Sequence, residues 1–220
     1  MVEKETERLY KSYLNTTNSR WEYGNSVLYR MCKEEPEHKE IDVIAGKIWL
    51  IGRSYAAAIE RRKNAVDDGD DFYYNVVAPK LLEIGPELDD RIARLRKSKG
   101  CIVDDVKLVL STHKFLMDIF YKLTGLKKRS LTSKYLHFHC PEKFFIYDSR
   151  ARAGIGKLVK RPDKGILTDV SDYDPEYGDF VCRMLELQEY LKEKKCLEEH
   201  SEGYKLTREL DSFLLTVIKE

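Results

Sequence analysis

Between residues 103 and 123 apolar side chains return every three or four positions: Val106, Val109, Leu110, Phe115, Leu116, Ile119, Phe120 and Leu123. That period marks one face of an α-helix, which must find a partner surface for its apolar stripe. Gly125 follows at once, the residue type that ends helices in the left-handed conformation. Helical spacing or amphipathic patterning recurs at 3–14, 21–33, 41–62, 87–97, 130–139, 150–159, 176–195 and 206–219. The one strand-like stretch is the short apolar run 144–147. With 12 Gly and 6 Pro in 220 residues, turn formers are too sparse for a many-stranded β fold, and 42% hydrophobic content excludes a disordered chain. An all-α domain over 1–220 is expected, with helical lobes 1–100 and 101–220 around a cleft as its finer division.

Punctuation inside these stretches carries further expectations. Gly46 and Gly52 each cost a helix about 1 kcal/mol, which predicts close backbone approach at both. Pro79 is placed to begin a helix after 72–78, and Gly85-Pro86 to break it. The stretches near 64–71 and 162–175 read as linkers.

The formal charge of +1 hides a segregated pattern. Twelve basic residues between Lys122 and Lys164 face three acids, Glu142, Asp148 and Asp163, a local surplus of nine. Acid runs sit at 67–71 and 169–179. A concentrated basic segment is the electrostatic footprint of a phosphate-backbone binder; the alternative is a solvated basic face beside an acidic one. Five dispersed cysteines without a CxxC pair argue for a reducing compartment and against a disulfide framework or zinc ribbon. Neither a signal-peptide core nor a membrane-length apolar run is present, so a cytoplasmic protein is expected.

The chemistry concentrates in 130–155. Lys134 falls early in its helix, near a positive helix end and close in sequence to Lys127, Lys128 and Arg129, the kind of setting that activates a lysine nucleophile. From Lys134 the helix runs about 9 Å to Cys140 at 1.5 Å per residue, and Pro141 turns the chain. The extended return, at ~3.3 Å per residue, is long enough to set Asp148 beside Lys134. An amine and a carboxylate would then meet next to a basic hairpin at 125–129; a plain Lys–Asp salt bridge is the competing reading. His137 and His139 have no third ligand at metal spacing, and the acidic run 67–71 lacks the pattern of a calcium loop. No metal and no cofactor is called for.

The segment SKYLHFHCPEKFFIYDSRA resembles the helix–hairpin–helix DNA glycosylases, in the divergent branch with the 8-oxoguanine glycosylase fold. The likeness covers roughly residues 100–160, with the helix–hairpin–helix at 103–139. It implies Lys134 as the catalytic lysine, Asp148 as the catalytic aspartate, and the hairpin as a grip on the phosphates of double-stranded DNA. Lys127, Lys128, Arg129, Arg150 and Arg152 are the expected DNA contacts. The chain departs from the family pattern in a 14-residue Lys–Asp interval, shorter than usual, and in the hairpin LKKRS, which replaces a Gly-rich loop. A glycosylase acts on a base flipped from the duplex into a pocket with an aromatic or apolar face. Trp49, Tyr55 and Phe138 are the leading pocket candidates, with Phe72, Tyr73 and Tyr74 behind them. The rival readings are a non-catalytic DNA-binding module on the same fold and a helical interaction protein.

Overall fold

The computed structural model describes residues 2–15, 21–61, 72–197 and 204–218. Among the described residues the regular elements are all helical: α1 (Thr6–Leu14), α2 (Glu22–Glu34), α3 (Ile41–Ser54), α4 (Ala78–Lys97), α5 (Val106–Thr124), α6 (Arg129–His139), α7 (Ser149–Leu158), α8 (Pro175–Glu193) and α9 (Tyr204–Val217). A π-helical turn, Tyr73–Val77, leads into α4. Among the described residues no helix is long and apolar enough to cross a membrane. The acidic run 67–71 and residues Arg62 and Lys63 lie outside the described residues.

The observed helices follow the periodic stretches closely, with two corrections. The stretch 41–62 is helical only to Ser54. Ala56 takes φ 51°, its N–H donates to the Arg53 carbonyl (3.3 Å), and the Ala57 N–H donates to the Gly52 carbonyl (2.7 Å). This is a Schellman cap with alanine where glycine is usual. A Cβ on Gly52 would stand 3.1 Å from the Ala58 Cα, so close approach is real there, whereas nothing lies within 4 Å at Gly46.

The second correction is α4, which runs straight through Gly85-Pro86. An interior proline costs roughly 3 kcal/mol, and tertiary contacts at that turn oppose the break. A Cβ on Gly85 would lie 2.7 Å from the His38 carbonyl, so the chain before α3 seats directly on the helix there. Asp89, one turn on, accepts the His38 N–H (2.9 Å) and pairs with its ring Nδ1 (2.5 Å).

Two hydrophobic clusters form the interior. One gathers α3, α4, α6 and the far part of α5, including Ile48, Leu88, Phe120 and Leu136. The other gathers α7, α8 and α9 with Tyr10 of α1, whose ring meets Phe213 edge-on at 4.9 Å. The clusters therefore do not divide at residue 100, because the N-terminal helix packs with the C-terminal core. Helix α5 serves both, Val106 and Leu110 on one side and Val109 and Leu116 on the other. The run 144–147 is extended yet pairs with no strand among the described residues. It threads between the clusters, Phe144 facing one and Phe145 and Tyr147 the other, which is why both of its faces are apolar.

Candidate active site

Helix α5 ends at Gly125, φ 69°, whose N–H donates to the Tyr121 carbonyl at 2.7 Å. A short hairpin then starts α6. Lys134 sits in the second turn of α6, 2% exposed, and its Nζ donates to Asp148 Oδ2 (3.1 Å), Ser130 Oγ (3.0 Å) and the Tyr55 carbonyl (3.3 Å). Those three acceptors match the three hydrogens of an ammonium. The Tyr55 carbonyl belongs to the C-terminal cap of α3, where unsatisfied carbonyls concentrate negative potential. The Tyr55 ring lies 5.5 Å from Nζ as well. The immediate neighbours of Lys134 are thus acceptors. The three cations expected around it point elsewhere.

Asp148 does two things at once. Its Oδ1 caps α7, accepting from the N–H groups of Arg150 (3.0 Å) and Ala151 (2.9 Å), while Oδ2 faces Lys134. Burial alone would push the Asp148 carboxyl up; the Lys134 charge and the Ala151 and Arg150 N–H groups outweigh it and hold the carboxyl below its ordinary range. The register that brings Asp148 here comes from Ser133, a residue that no motif in the sequence singles out. Ser133 Oγ accepts the Tyr147 N–H at 2.9 Å and pins the extended run to α6 one residue before Asp148. Ser133→Ala orphans that buried N–H, at about 1–3 kcal/mol. Thermal unfolding is expected to drop by several degrees, and an unchanged Tm would show that Ser133 does not set the register.

Among the pocket candidates, Tyr55 and Phe138 come together. Their rings meet edge-on at 5.3 Å, and the Tyr55 hydroxyl donates to Asn25 Oδ1 at 2.8 Å. Phe138 is buried behind Tyr55, against Tyr29 at 4.8 Å. Trp49 does not join them: it lies 40% exposed on the outer side of α3 with the Arg53 guanidinium over its ring. Phe72 and Tyr73 are core residues and Tyr74 is exposed on the surface. His137 is a strut: its Nδ1–H donates to the Phe144 carbonyl (2.8 Å), which leaves Nε2 to accept from the Tyr29 hydroxyl (2.6 Å). Burial pushes its pKa down to about 4. Among the described residues no three His, Cys, Asp or Glu side chains converge as metal ligands.

The basic segment is partly neutralised in three dimensions. Arg129 forks onto both carboxylate oxygens of Asp174 and reaches Glu176 at 2.8 Å; Arg152 also pairs with Glu176 (2.7 Å), and Lys164 with Asp179 (2.8 Å). The acidic run 169–179 therefore lies over the basic one. Lys128 donates to the Arg61 carbonyl. Lys127 and Arg150 are exposed and carry no ion pair among the described residues. Arg129, one of the expected DNA contacts, has its guanidinium committed to Asp174 and Glu176. Asp174 is 2% exposed and also caps α8, accepting the Tyr177 N–H at 2.9 Å. Arg129→Ala leaves that buried carboxylate without its fork, which costs about 3–5 kcal/mol. Urea unfolding of this variant is expected to shift strongly, whereas Lys127→Ala leaves the curve in place.

Helix α9 carries two charged groups that no sequence signal singled out. Arg208 and Asp211 form an ion pair one turn apart on its inner face. Arg208 acts electrostatically on Tyr55 and His137, and Asp211 on Tyr55. A surface cavity of about 510 Å³ opens elsewhere, between α4, α5 and residues 169–172, and shares no residue with this site. No protein-family model, no curated protein and no solved structure matches this chain. Its own geometry carries the functional reading.

Proposed function

We propose that the chain is a DNA glycosylase that excises a damaged or modified base, with Lys134 able to capture the sugar as an imine. The observation that carries this reading is the Lys134–Asp148 contact at 3.1 Å, at the mouth of a capped helix and one turn beyond the hairpin. An N-glycosidic bond breaks with positive charge growing on the sugar, and a carboxylate held ionised by an ammonium and two N–H groups is suited to stabilise it. Once the base has left, one Lys134 proton passes along the 3.1 Å contact to Asp148, and the freed lone pair bonds to C1′. Without that transfer, Asp148 orients a water and only the base leaves. Tyr55, backed edge-on by the buried Phe138, offers the aromatic wall against which a flipped base stacks. The mouth must open to admit it, because Lys134 is enclosed at rest.

A second reading rests on the same contact: the ion pair ties the two hydrophobic clusters together and does nothing else. Borohydride trapping on a duplex with an abasic site separates the two. The glycosylase reading expects one covalent adduct per chain; no adduct and no base release leaves a structural bridge. For duplex binding, exposed Lys127 and Arg150 are the expected phosphate partners. Removing either cation should flatten the log–log salt dependence of affinity by roughly 0.9. Lys127→Glu is expected to weaken binding alike on all sequences, and salt-independent binding would remove the DNA partner.

A further inference from the structure

Three donors from three segments converge on one carboxylate at the start of α8. Glu176 Oε1 accepts from the Tyr147 hydroxyl and from Arg152 Nη1 (2.7 Å), and Oε2 faces Arg129 Nη1 at 2.8 Å. Each donor adjoins the Lys134–Asp148 pair along the chain. Tyr147 directly precedes Asp148. Arg129 directly precedes Ser130, whose Oγ accepts from Lys134 (3.0 Å). Arg152 lies one turn into α7, its N–H donating to the Asp148 carbonyl at 2.9 Å. We propose that this cradle is a subsite for a backbone phosphate of duplex DNA, and that Glu176 occupies it as an internal stand-in until the duplex displaces it. The proposal rests on the duplex-binding part of the glycosylase reading and adds to it a phosphate subsite with a built-in competitor.

The donors are held in place without Glu176. Arg129 keeps Nε and Nη2 on the buried Asp174 carboxylate, which leaves Nη1 for a second anion, and its guanidinium stands 5.9 Å over the Tyr147 ring. The Tyr147 N–H is pinned by Ser133 Oγ, and its ring meets Phe180 edge-on at 5.1 Å. With Glu176 turned away, two guanidinia and a hydroxyl remain aimed at one point. Guanidinium groups take phosphate oxygens in the same geometry as carboxylate oxygens. The two carboxylates at this end of α8 differ in access. Asp174 is buried and caps the helix, whereas the Glu176 side chain is 40% exposed on a flexible two-methylene stem. It can rotate into water without disturbing the helix. The Tyr147 hydroxyl, then Arg129 and Arg152, hold the Glu176 carboxyl below its ordinary range against the opposing effect of burial, as expected of a cradle that favours an anion. A phosphodiester is also a monoanion, so the exchange swaps one negative charge for another.

The test measures equilibrium binding of the full chain to a duplex carrying a tetrahydrofuran abasic analogue, across a salt series. Glu176→Gln keeps an acceptor for Tyr147 and removes the competing charge. It is expected to tighten binding roughly tenfold, the scale of two part-exposed ion pairs that association no longer has to break. Arg152→Ala should flatten the log–log salt dependence by roughly 0.9, one phosphate contact. It should also shrink the Gln gain when the two changes are combined. Arg152 is 61% exposed, so this variant folds and tests the cradle even where Glu176→Gln is unstable. A carboxylate kept only for structure gives another pattern: a Gln variant with lower Tm and no gain in affinity, and an Arg152→Ala slope equal to wild type. Either result overturns the proposal, and so does a chain that binds no duplex at low salt. Inorganic phosphate that raises the Tm of the Gln variant, with duplex affinity unchanged, assigns the cradle to free phosphate and overturns the DNA assignment. Borohydride trapping on an abasic duplex is read in parallel. A Gln gain without trapping in any variant is the failure of the glycosylase reading alone, and trapping without the gain is the failure of the cradle alone.

Discussion

Asp148→Asn is expected to lower base release by about 10²–10³, the range seen when one preorganised charge-stabilising group is removed. Asparagine caps helices as well as aspartate does, so α7 should still form. The amide cannot fully replace the carboxylate, however. Oδ1 accepts from Arg150 and Ala151 while Oδ2 accepts from Lys134. The single carbonyl of asparagine can serve one side only, and its NH₂ then points at an ammonium or at N–H donors. A cost of about 1–3 kcal/mol follows, which leaves a folded protein with a lower Tm. The stability difference carries a pH signature. The Asp148 pKa is lowered in the folded chain, so its contribution is complete above the unfolded carboxylate value of about 4 and is lost as pH falls through the lower folded value. Wild type should be the more stable at pH 6, with the gap closing towards pH 3. An Asn variant that unfolds outright yet keeps its activity in the folded fraction would reduce Asp148 to a cap.

Lys134→Gln is expected to abolish the borohydride adduct on an abasic duplex, because an amide nitrogen forms no imine. Glutamine can still donate to Asp148 or to the Tyr55 carbonyl, which limits the structural damage, although the charge between the two clusters is gone. Duplex affinity should change little: Lys134 is enclosed, and the exposed cations Lys127 and Arg150 are untouched. The informative quantity is the split between trapping and binding. A Gln variant that still traps as strongly as wild type assigns the chemistry to another amine. A large loss of duplex affinity would make Lys134 a phosphate contact. Arg129→Ala makes a useful contrast, since its expected effect is on unfolding and only secondarily on DNA.

The charge pattern shows what one-dimensional reading misses here. A surplus of nine positive charges between Lys122 and Lys164 is a true property of the sequence, but its meaning depended on where the acidic run 169–179 came to rest. That run folds back onto the basic segment, and Arg129, Arg152 and Lys164 are neutralised by Asp174, Glu176 and Asp179. Linear segregation became pairing in space, which narrows the cationic surface available to a phosphate backbone. Proline misled for a related reason. The interruption expected at Gly85-Pro86 is a local preference of a few kcal/mol, and the His38 segment packed against Gly85 and Asp89 opposes it.

The sequence by itself determined the all-helical class and most helix positions, because helical periodicity and caps are local and repeat many times along the chain. It also brought Lys134 and Asp148 into reach of each other, since the turn at Pro141 and the length of the extended return left few other outcomes. The tertiary structure decided what surrounds that pair. The Tyr55 carbonyl arrives from the end of α3, and the Ser133 hydroxyl fixes the register from within α6. Each of these contacts depends on how helices pack across two clusters, and that packing is set by side-chain fit between distant segments. No local pattern in the chain encodes it.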